Sequence, residues 1–220
     1  MKIKSTVAAL CAAVALLGAG ELQAKTVNLS SQVPGNVYGT ENWSTSVDQT
    51  ILDRGGPIGQ NYVGTSGAFR LTDGVKDIIA FGMDPYMLVN LTESFTVTEN
   101  ATVLDKIDWL FSFAYAQVTD AVSASAFQVA LWEVISETDD NLNVFGGNHF
   151  LNIDTDAKIG MRANYYLSRM DTAETGQYRY TTYSNSGQDL ISVSPVPLPA
   201  SALLLIAGMG GLAALRRKQR

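Results

Sequence analysis

Residues 125–136 read SAFQVALWEVIS, an apolar segment interrupted by one amide and one carboxylate. The spacing of its apolar residues predicts a helix from about Ser123 to Ser136. The predicted apolar face consists of Ala124, Phe127, Leu131, Val134 and Ile135. Glu133 is expected to point away from this face, whereas Gln128 projects into it beside Trp132.

Gln128 is the polar residue of this helix that most needs an explanation. A buried primary amide must find hydrogen-bond partners, because leaving it without them costs about 1–3 kcal/mol. We therefore expect Gln128 to be a structural amide that ties the helix to the backbone of a strand or loop.

Two further helices are expected on either side of this one. Residues 102–105, TVLD, have the form of a capping box. The apolar residues that follow keep a helical rhythm: Leu104, Ile107, Phe111, Ala114 and Val118. A third helix is expected over about 156–170, capped by Asp154 or Thr155, although Gly160 disfavours it by about 1 kcal/mol relative to Ala.

The segments that flank the helices alternate apolar and polar residues, which is typical of strands. Residues 25–100 look β-rich, and 77–84, DIIAFGMD, contain a continuous apolar run compatible with a central strand. Strand-like alternation returns after Gly176. The expected fold class is α+β: a β-rich sandwich or barrel-like domain over residues 25–191 with a helical insertion, plus a C-terminal transmembrane helix.

Residues 1–24 have the features of a secretory signal peptide. Lys2 and Lys4 precede an apolar run over 6–20, and cleavage is expected before Lys25. The only cysteine, Cys11, lies inside this segment. Its removal would leave an exported domain without disulfides, cysteine nucleophiles, cysteine-ligated metals or thioesters.

The exported body is strongly acidic. Residues 25–195 contain 9 Lys and Arg against 20 Asp and Glu, a net charge of −11. Such a field repels nucleic acid and anionic lipid and favours solubility or cation binding. Nucleic acid is therefore excluded as an expected partner.

The C-terminal residues predict a membrane anchor. A linker with a proline-containing motif covers 192–199 and continues into the uncharged, mostly apolar run 200–215. As a helix this run would span about 24 Å, slightly less than a bilayer core of about 30 Å. The basic residues after it form an expected cytoplasmic tail, 216–220, with the domain on the other side of the inner membrane. They are Arg216, Arg217, Lys218 and Arg220.

The order of motif, apolar run and basic cluster resembles the PEP-CTERM class of sorting signals, in its VPLPA variant. The motif residues are Val196, Pro197, Leu198, Pro199 and Ala200. The resemblance implies a Gram-negative bacterium and an exosortase-type transpeptidase that cleaves near the motif. It also implies delivery to the cell surface or extracellular matrix, as in biofilms. A plain C-terminal anchor and a tail that resembles a GPI signal are the alternatives.

A second resemblance concerns the domain. Residues 128–132, QVALW, are similar to the glutamine-containing helix motif of thioester-domain adhesins, and 81–84, FGMD, resemble their cysteine-containing strand motif. Gly82 occupies the cysteine position. The resemblance implies a related fold over about 67–137, and the missing thiol excludes the thioester.

Other candidate sites rest on oxygen-bearing residues. Glu137, Asp139 and Asp140 offer carboxylates for a secreted carbohydrate-active enzyme. Two loops carry weak calcium candidates: Asp139 and Asp140, and Asp154 and Asp156. His149 is expected in a loop or on the surface.

The first hypothesis is a non-catalytic exported surface or matrix protein without a cofactor, a catalytic residue or a bound metal. Its expected partners are the inner membrane, the sorting enzyme and exopolysaccharide. The carbohydrate-active enzyme and a calcium-dependent binding module remain the alternatives.

Overall fold

The computed structural model describes residues 25–51, 60–137, 140–146, 150–152 and 157–197. The predicted signal peptide, the run 200–215 and residues 216–220 lie outside these ranges. The described strands are β1 (Lys25–Val27), β2 (Ser30–Ser31), β3 (Ser44–Ile51), β4 (Gln60–Gly67), β5 (Phe69–Thr72), β6 (Asp77–Gly82), β7 (Phe95–Glu99), β8 (Phe150–Asn152), β9 (Tyr178–Ser184) and β10 (Leu190–Pro195). The described helices are α1 (Asp105–Ala114), α2 (Ala121–Ser136) and α3 (Ala157–Leu167).

The expected α+β class is confirmed. The strands form a seven-stranded sheet in the order β1-β7-β9-β10-β6-β5-β2 and a three-stranded sheet in the order β4-β3-β8, and neighbouring strands pair antiparallel. The sequence order differs from the expected one, because β8 interrupts the helical section and joins the smaller sheet through β3.

The larger sheet is buried on both faces at its centre. Phe81, Tyr180 and Ile191 belong to a core shared with the helices, whereas Ala80 and Leu190, next to two of them in the chain, belong to a second core on the other face. Because successive side chains of a strand point to opposite faces, a strand buried on both must be apolar at consecutive positions. This explains the continuous apolar run of β6, which lies between β5 and β10 as a central strand.

The start of α1 differs from the prediction. The capping box at residues 102–105 is not formed: Leu104 is the N-cap, with an extended backbone and no side-chain cap. Thr102 lies too far before the first turn, which begins only at Asp105. Asp105 and Asp108 instead place negative charge beside the positive end of the helix dipole. Leu104 is exposed, and a 3-10 turn over Tyr115–Gln117 replaces the regular helix that was expected to reach Val118.

The capping box that does form lies before α2. Asp120 accepts a hydrogen bond from the backbone N–H of Ser123 at 2.7 Å, and the Ser123 hydroxyl accepts one from the Asp120 N–H at 2.9 Å. Hydrogen bonds from Ser123 lower the pKa of the Asp120 carboxyl. The sequence here is D-x-x-S, not S-x-x-E, so the usual signature misses it.

The ends of the other elements are close to expectation. The helix expected over 123–136 is confirmed, and α3 is shorter than predicted because Met170 falls in a separate 3-10 turn, Met170–Thr172. Asp154 and Thr155 lie outside the described residues. The domain extends beyond residue 191: Ser192 to Pro195 belong to β10 and pair with β9, so the linker begins later than predicted.

One hydrogen bond joins β9 to α1. The Tyr180 hydroxyl donates to Asp108 Oδ1 at 2.7 Å, and the Gly176 N–H donates to Asp108 Oδ2 at 3.0 Å. Burial, reinforced by this contact with a carboxylate, raises the pKa of Tyr180 far above its usual range. The phenol therefore stays protonated as a donor at neutral pH.

We expect Tyr180→Phe to lower the free energy of unfolding by about 1.5–3 kcal/mol, because the lost hydrogen bond is to a charged group. Tyr178→Phe is the matched control, since the Tyr178 hydroxyl makes no hydrogen bond to the part of the chain that the structure describes. Urea denaturation measures both variants. Equal losses in the two would contradict the assignment.

Candidate functional site

Helix α2 lies inside the protein. Its residues are buried without a break from Ser123 to Val134, and it contacts α1, α3, β3 and β4. The predicted orientation of Glu133 is therefore wrong: this side chain is fully buried. A charged residue such as Glu133 in an apolar helix predicts an amphipathic helix with one face in solvent. A helix surrounded by protein instead buries every face.

The polar side chains of α2 bond to the surrounding protein. The Ser125 hydroxyl donates to the Ser66 carbonyl at 2.8 Å and is 2.9 Å from Thr45 Oγ1. The backbone N–H of Asn143 donates to Glu133 Oε1 at 2.7 Å. Each bond joins α2 to a different neighbour, so the helix is fixed to β3, β4 and the loop that follows it.

Gln128 makes the most specific of these connections. Its Oε1 accepts from the Gly82 N–H at 2.8 Å, and its Nε2 donates to the Gly82 carbonyl at 2.7 Å. The amide is 1% exposed. These bonds bring the QVALW and FGMD segments into direct contact at the end of β6.

The register of the sheet explains why Gly82 needs this partner. Strand β5 begins at Phe69, which pairs with Ala80, and the residues before it belong to β4 in the other sheet. The edge of β6 that β5 covers is thus left uncovered at Gly82. One side-chain amide supplies a donor and an acceptor there, in place of the peptide group of a neighbouring strand.

The absence of a side chain at Gly82 is also required sterically. A Cβ at this position would lie 2.3–2.4 Å from the amide of Gln188. Gln188 is held there, because its Nε2 donates to the Asp84 carbonyl and its backbone N–H donates to Leu88 O at 2.9 Å. The space beside Gly82 is therefore filled from the β9–β10 loop. No periodicity or motif in the sequence indicated Gln188.

A cavity of about 400 Å³ opens beside these two glutamines. Gln128, Gln188 and Trp132 line it, together with Tyr38 and Phe69, whose rings stack with centroids 5.2 Å apart. The exposed side chains of Met87 and Leu88 also border it. Among the described residues that line the cavity, none is charged.

A second glycine permits the close packing beside this cavity. Gly67 lies where the chain leaves β4 for β5, and a Cβ there would be 2.1 Å from the Trp43 carbonyl oxygen. Such a distance excludes any side chain. The backbone can therefore approach β3 closely and turn from one sheet to the other.

Of the carboxylates considered for catalysis, the two that the structure describes, Glu137 and Asp140, do not line this cavity. Glu137 is buried at the end of α2, and Asp140 is fully exposed and forms an ion pair with Lys106 at 3.0 Å. Asp139 lies outside the described residues.

Of the four calcium candidates, Asp140 is the one that the structure describes, and its ion pair is with Lys106. Asp139, Asp154, Asp156 and His149 lie outside the described ranges, and no group of three or more His, Cys, Asp or Glu forms a possible metal site within them. Asn143, from the first candidate loop, accepts hydrogen bonds at Oδ1 from Asn164 Nδ2 at 2.8 Å and from the Phe145 N–H.

The structure describes only the first two residues of the predicted sorting motif, Val196 and Pro197. The Val196 N–H donates to the Gln177 carbonyl at 2.9 Å, and Pro197 is the last described residue. Leu198, Pro199 and Ala200 lie outside the description, as do Arg216, Arg217, Lys218 and Arg220. Within the described ranges, every helix is too short or too polar to cross a bilayer.

No family model matches this chain, and no curated protein or solved structure is significantly similar to it.

Replacing Gln128 by Met removes the amide and keeps a side chain of similar length. We expect the free energy of unfolding to fall by about 2–5 kcal/mol, because both the N–H and the carbonyl of buried Gly82 lose their partner. Gln117→Met, at an exposed glutamine on the turn after α1, is the control and should change it by less than about 1 kcal/mol. Similar values for the two in chemical denaturation would show that the Gly82 contact contributes little.

The packing of Gln188 against Gly82 is tested by a double-mutant cycle. Gly82→Ala is expected to destabilise the protein, and to cost at least about 1 kcal/mol less when Gln188 is replaced by Ser, which makes room for the new methyl group. Thermal or urea unfolding of the two single variants and the double variant gives the coupling energy. Additive effects would be inconsistent with direct contact.

Proposed function

We propose that this chain is a non-catalytic exported protein that is sorted to the cell surface or extracellular matrix. In this proposal, the apolar run 200–215 holds it in the inner membrane until an exosortase-type enzyme cleaves near Val196–Ala200. The observation that carries the proposal is the sequence order of motif, apolar run and basic cluster. The acidic charge of the body supports it, since a net charge of −11 favours a solvated domain and disfavours nucleic acid.

The geometry of β10 supports a short tether between domain and motif. Strand β10 lies between β9 and β6 within the larger sheet, and its pairing reaches Pro195. Two residues lie between Pro197 and Ala200, so the three steps from one to the other correspond to at most about 10 Å of extended chain. A membrane-embedded enzyme would therefore cleave a peptide held close to the folded domain.

The arrangement at Gly82 supports a role without covalent chemistry. We propose that the domain has a fold related to that of thioester-domain adhesins, with a helical insertion in a sandwich or barrel-like body. In such a fold, Gln128 serves as a backbone partner and carries no reactive bond. Attachment to a matrix would then depend on noncovalent binding.

Mass spectrometry of the protein isolated from its own cells tests the sorting proposal. We expect an N-terminus at Lys25 and a C-terminus within or next to Val196–Ala200. Pro197→Ala combined with Pro199→Ala should abolish C-terminal processing and leave the protein in the inner membrane. Pro34→Ala, at an exposed proline in the domain, is the control and should be processed normally.

An intact chain of residues 1–220 in the soluble cytosolic fraction would overturn the proposal. A processed N-terminus with an uncleaved C-terminus in the wild type would leave export standing and refute sorting by cleavage.

A further inference from the structure

Two glutamines that line the cavity beside α2 have hydrogen-bonding groups that the described residues leave unused. Gln128 spends one N–H and one lone pair on Gly82, and an amide has two of each. Gln188 donates once through Nε2, and its Oε1 accepts no hydrogen bond from the described residues. Both side chains are nine-tenths buried or more, with exposures of 1% and 4%.

Buried polar groups are normally satisfied by protein, by water or by a ligand. The two glutamines line one cavity, and the groups that they do not use toward the described residues comprise both donors and acceptors. A hydroxyl group, which donates and accepts at once, is complementary to such a pair of amides. The base of the cavity therefore suits a ligand with hydroxyl groups.

The walls favour a ring with apolar faces. Tyr38, Phe69 and Trp132 present aromatic surface, and Met87 and Leu88 extend the apolar lining to the entrance. No lining residue among those described is charged, so an anionic or cationic ligand would lose its hydration without gaining a counter-charge. A volume of about 400 Å³ lies within the range of about 300–1,000 Å³ typical of small-ligand pockets.

From this chemistry we infer that the cavity binds a neutral sugar unit, such as a hexose or N-acetylhexosamine residue of a glycan chain. The ring's C–H faces contact the aromatic wall, while its hydroxyl groups bond to Gln128 and Gln188. This inference deepens the proposed function, because it names the chemical class of the matrix partner. It rests on the proposed function for the place where the protein meets the glycan. The binding itself is a property of the folded domain.

Saturation-transfer NMR on the full-length chain tests the inference, in a zwitterionic detergent whose headgroup is not a sugar. The probes are the methyl glycosides of glucose, galactose, mannose and N-acetylglucosamine, with methyl glucuronoside as the charged counterpart. We expect saturation transfer to at least one neutral glycoside at millimolar concentration, and binding of the glucuronoside at least about tenfold weaker.

Two substitutions at the lining test the site. Leu88→Asp places a negative charge at the entrance of the cavity, and Thr65→Trp fills this entrance with a large side chain. Leu88 is 77% exposed and Thr65 is also exposed, so neither change should disturb folding, which circular dichroism checks. Each is expected to weaken binding at least about tenfold. Val75→Asp is the matched control: Val75 is 94% exposed, lies outside the cavity, and its substitution should leave binding unchanged.

The inference is overturned if no neutral glycoside receives saturation, or if the glucuronoside binds as tightly as the neutral glycosides. It is also overturned if Leu88→Asp and Thr65→Trp are folded and bind the glycosides like the wild type. Loss of binding in Val75→Asp overturns it as well, because the effect would then not be local. The sorting proposal and the sugar-binding inference can fail independently. The masses of the processed termini do not depend on sugar binding, and NMR of the purified chain does not depend on sorting.

Discussion

A helix that is buried on all sides must satisfy its polar groups without water. In α2 this constraint applies to Ser125, Gln128 and Glu133, which bond to β4, to β6 and to the loop after the helix, respectively. The bond to β6 has the widest consequences, because it completes the hydrogen bonding of a strand that its neighbour leaves uncovered. At this point the amide of Gln128 and the backbone of Gly82 both need a hydrogen-bond partner, and each serves as the partner of the other.

The path of the chain between the two sheets accounts for the cavity. Since β5 begins only at Phe69 and the chain comes from the other sheet through Gly67, space remains beside the end of β6. Gln128 enters this space from the helix, and Gln188 enters it over the bare backbone of Gly82. A side chain at residue 82 would displace Gln188, so the glycine makes room for a second buried amide. The result is a cavity that two buried amides line and that has no charged residue among the described residues of its lining.

Much of the architecture was predictable from local pattern. The apolar spacing of α2, the continuous run in β6 and the return of alternation after Gly176 gave the α+β class and the position of the main helix. The cost of burying an amide also predicted that Gln128 bonds to the backbone of a strand or loop. These features depend on neighbouring residues in the chain, which a single sequence displays.

What the sequence did not display depends on long-range contacts. The burial of Glu133 requires the backbone of Asn143 ten residues later, and the place of Gln188 requires a loop over a hundred residues away from Gly82. Leu104 fits the helical rhythm yet stays exposed, because α1 starts only after it. Likewise, β10 continues to Pro195 because β9 pairs with it, although the serines and prolines of this segment suggested a linker.

Hydrogen exchange of the Gly82 amide is the most direct measure of whether α2 completes β6. If the Gln128 amide is its permanent partner, this N–H exchanges only through global unfolding and belongs to the slowest class in the protein, with the central strands. Exchange of the Gly82 N–H at the rate of an exposed turn amide, while its neighbours in β6 remain protected, would show that the contact is not maintained and would contradict this description of the fold.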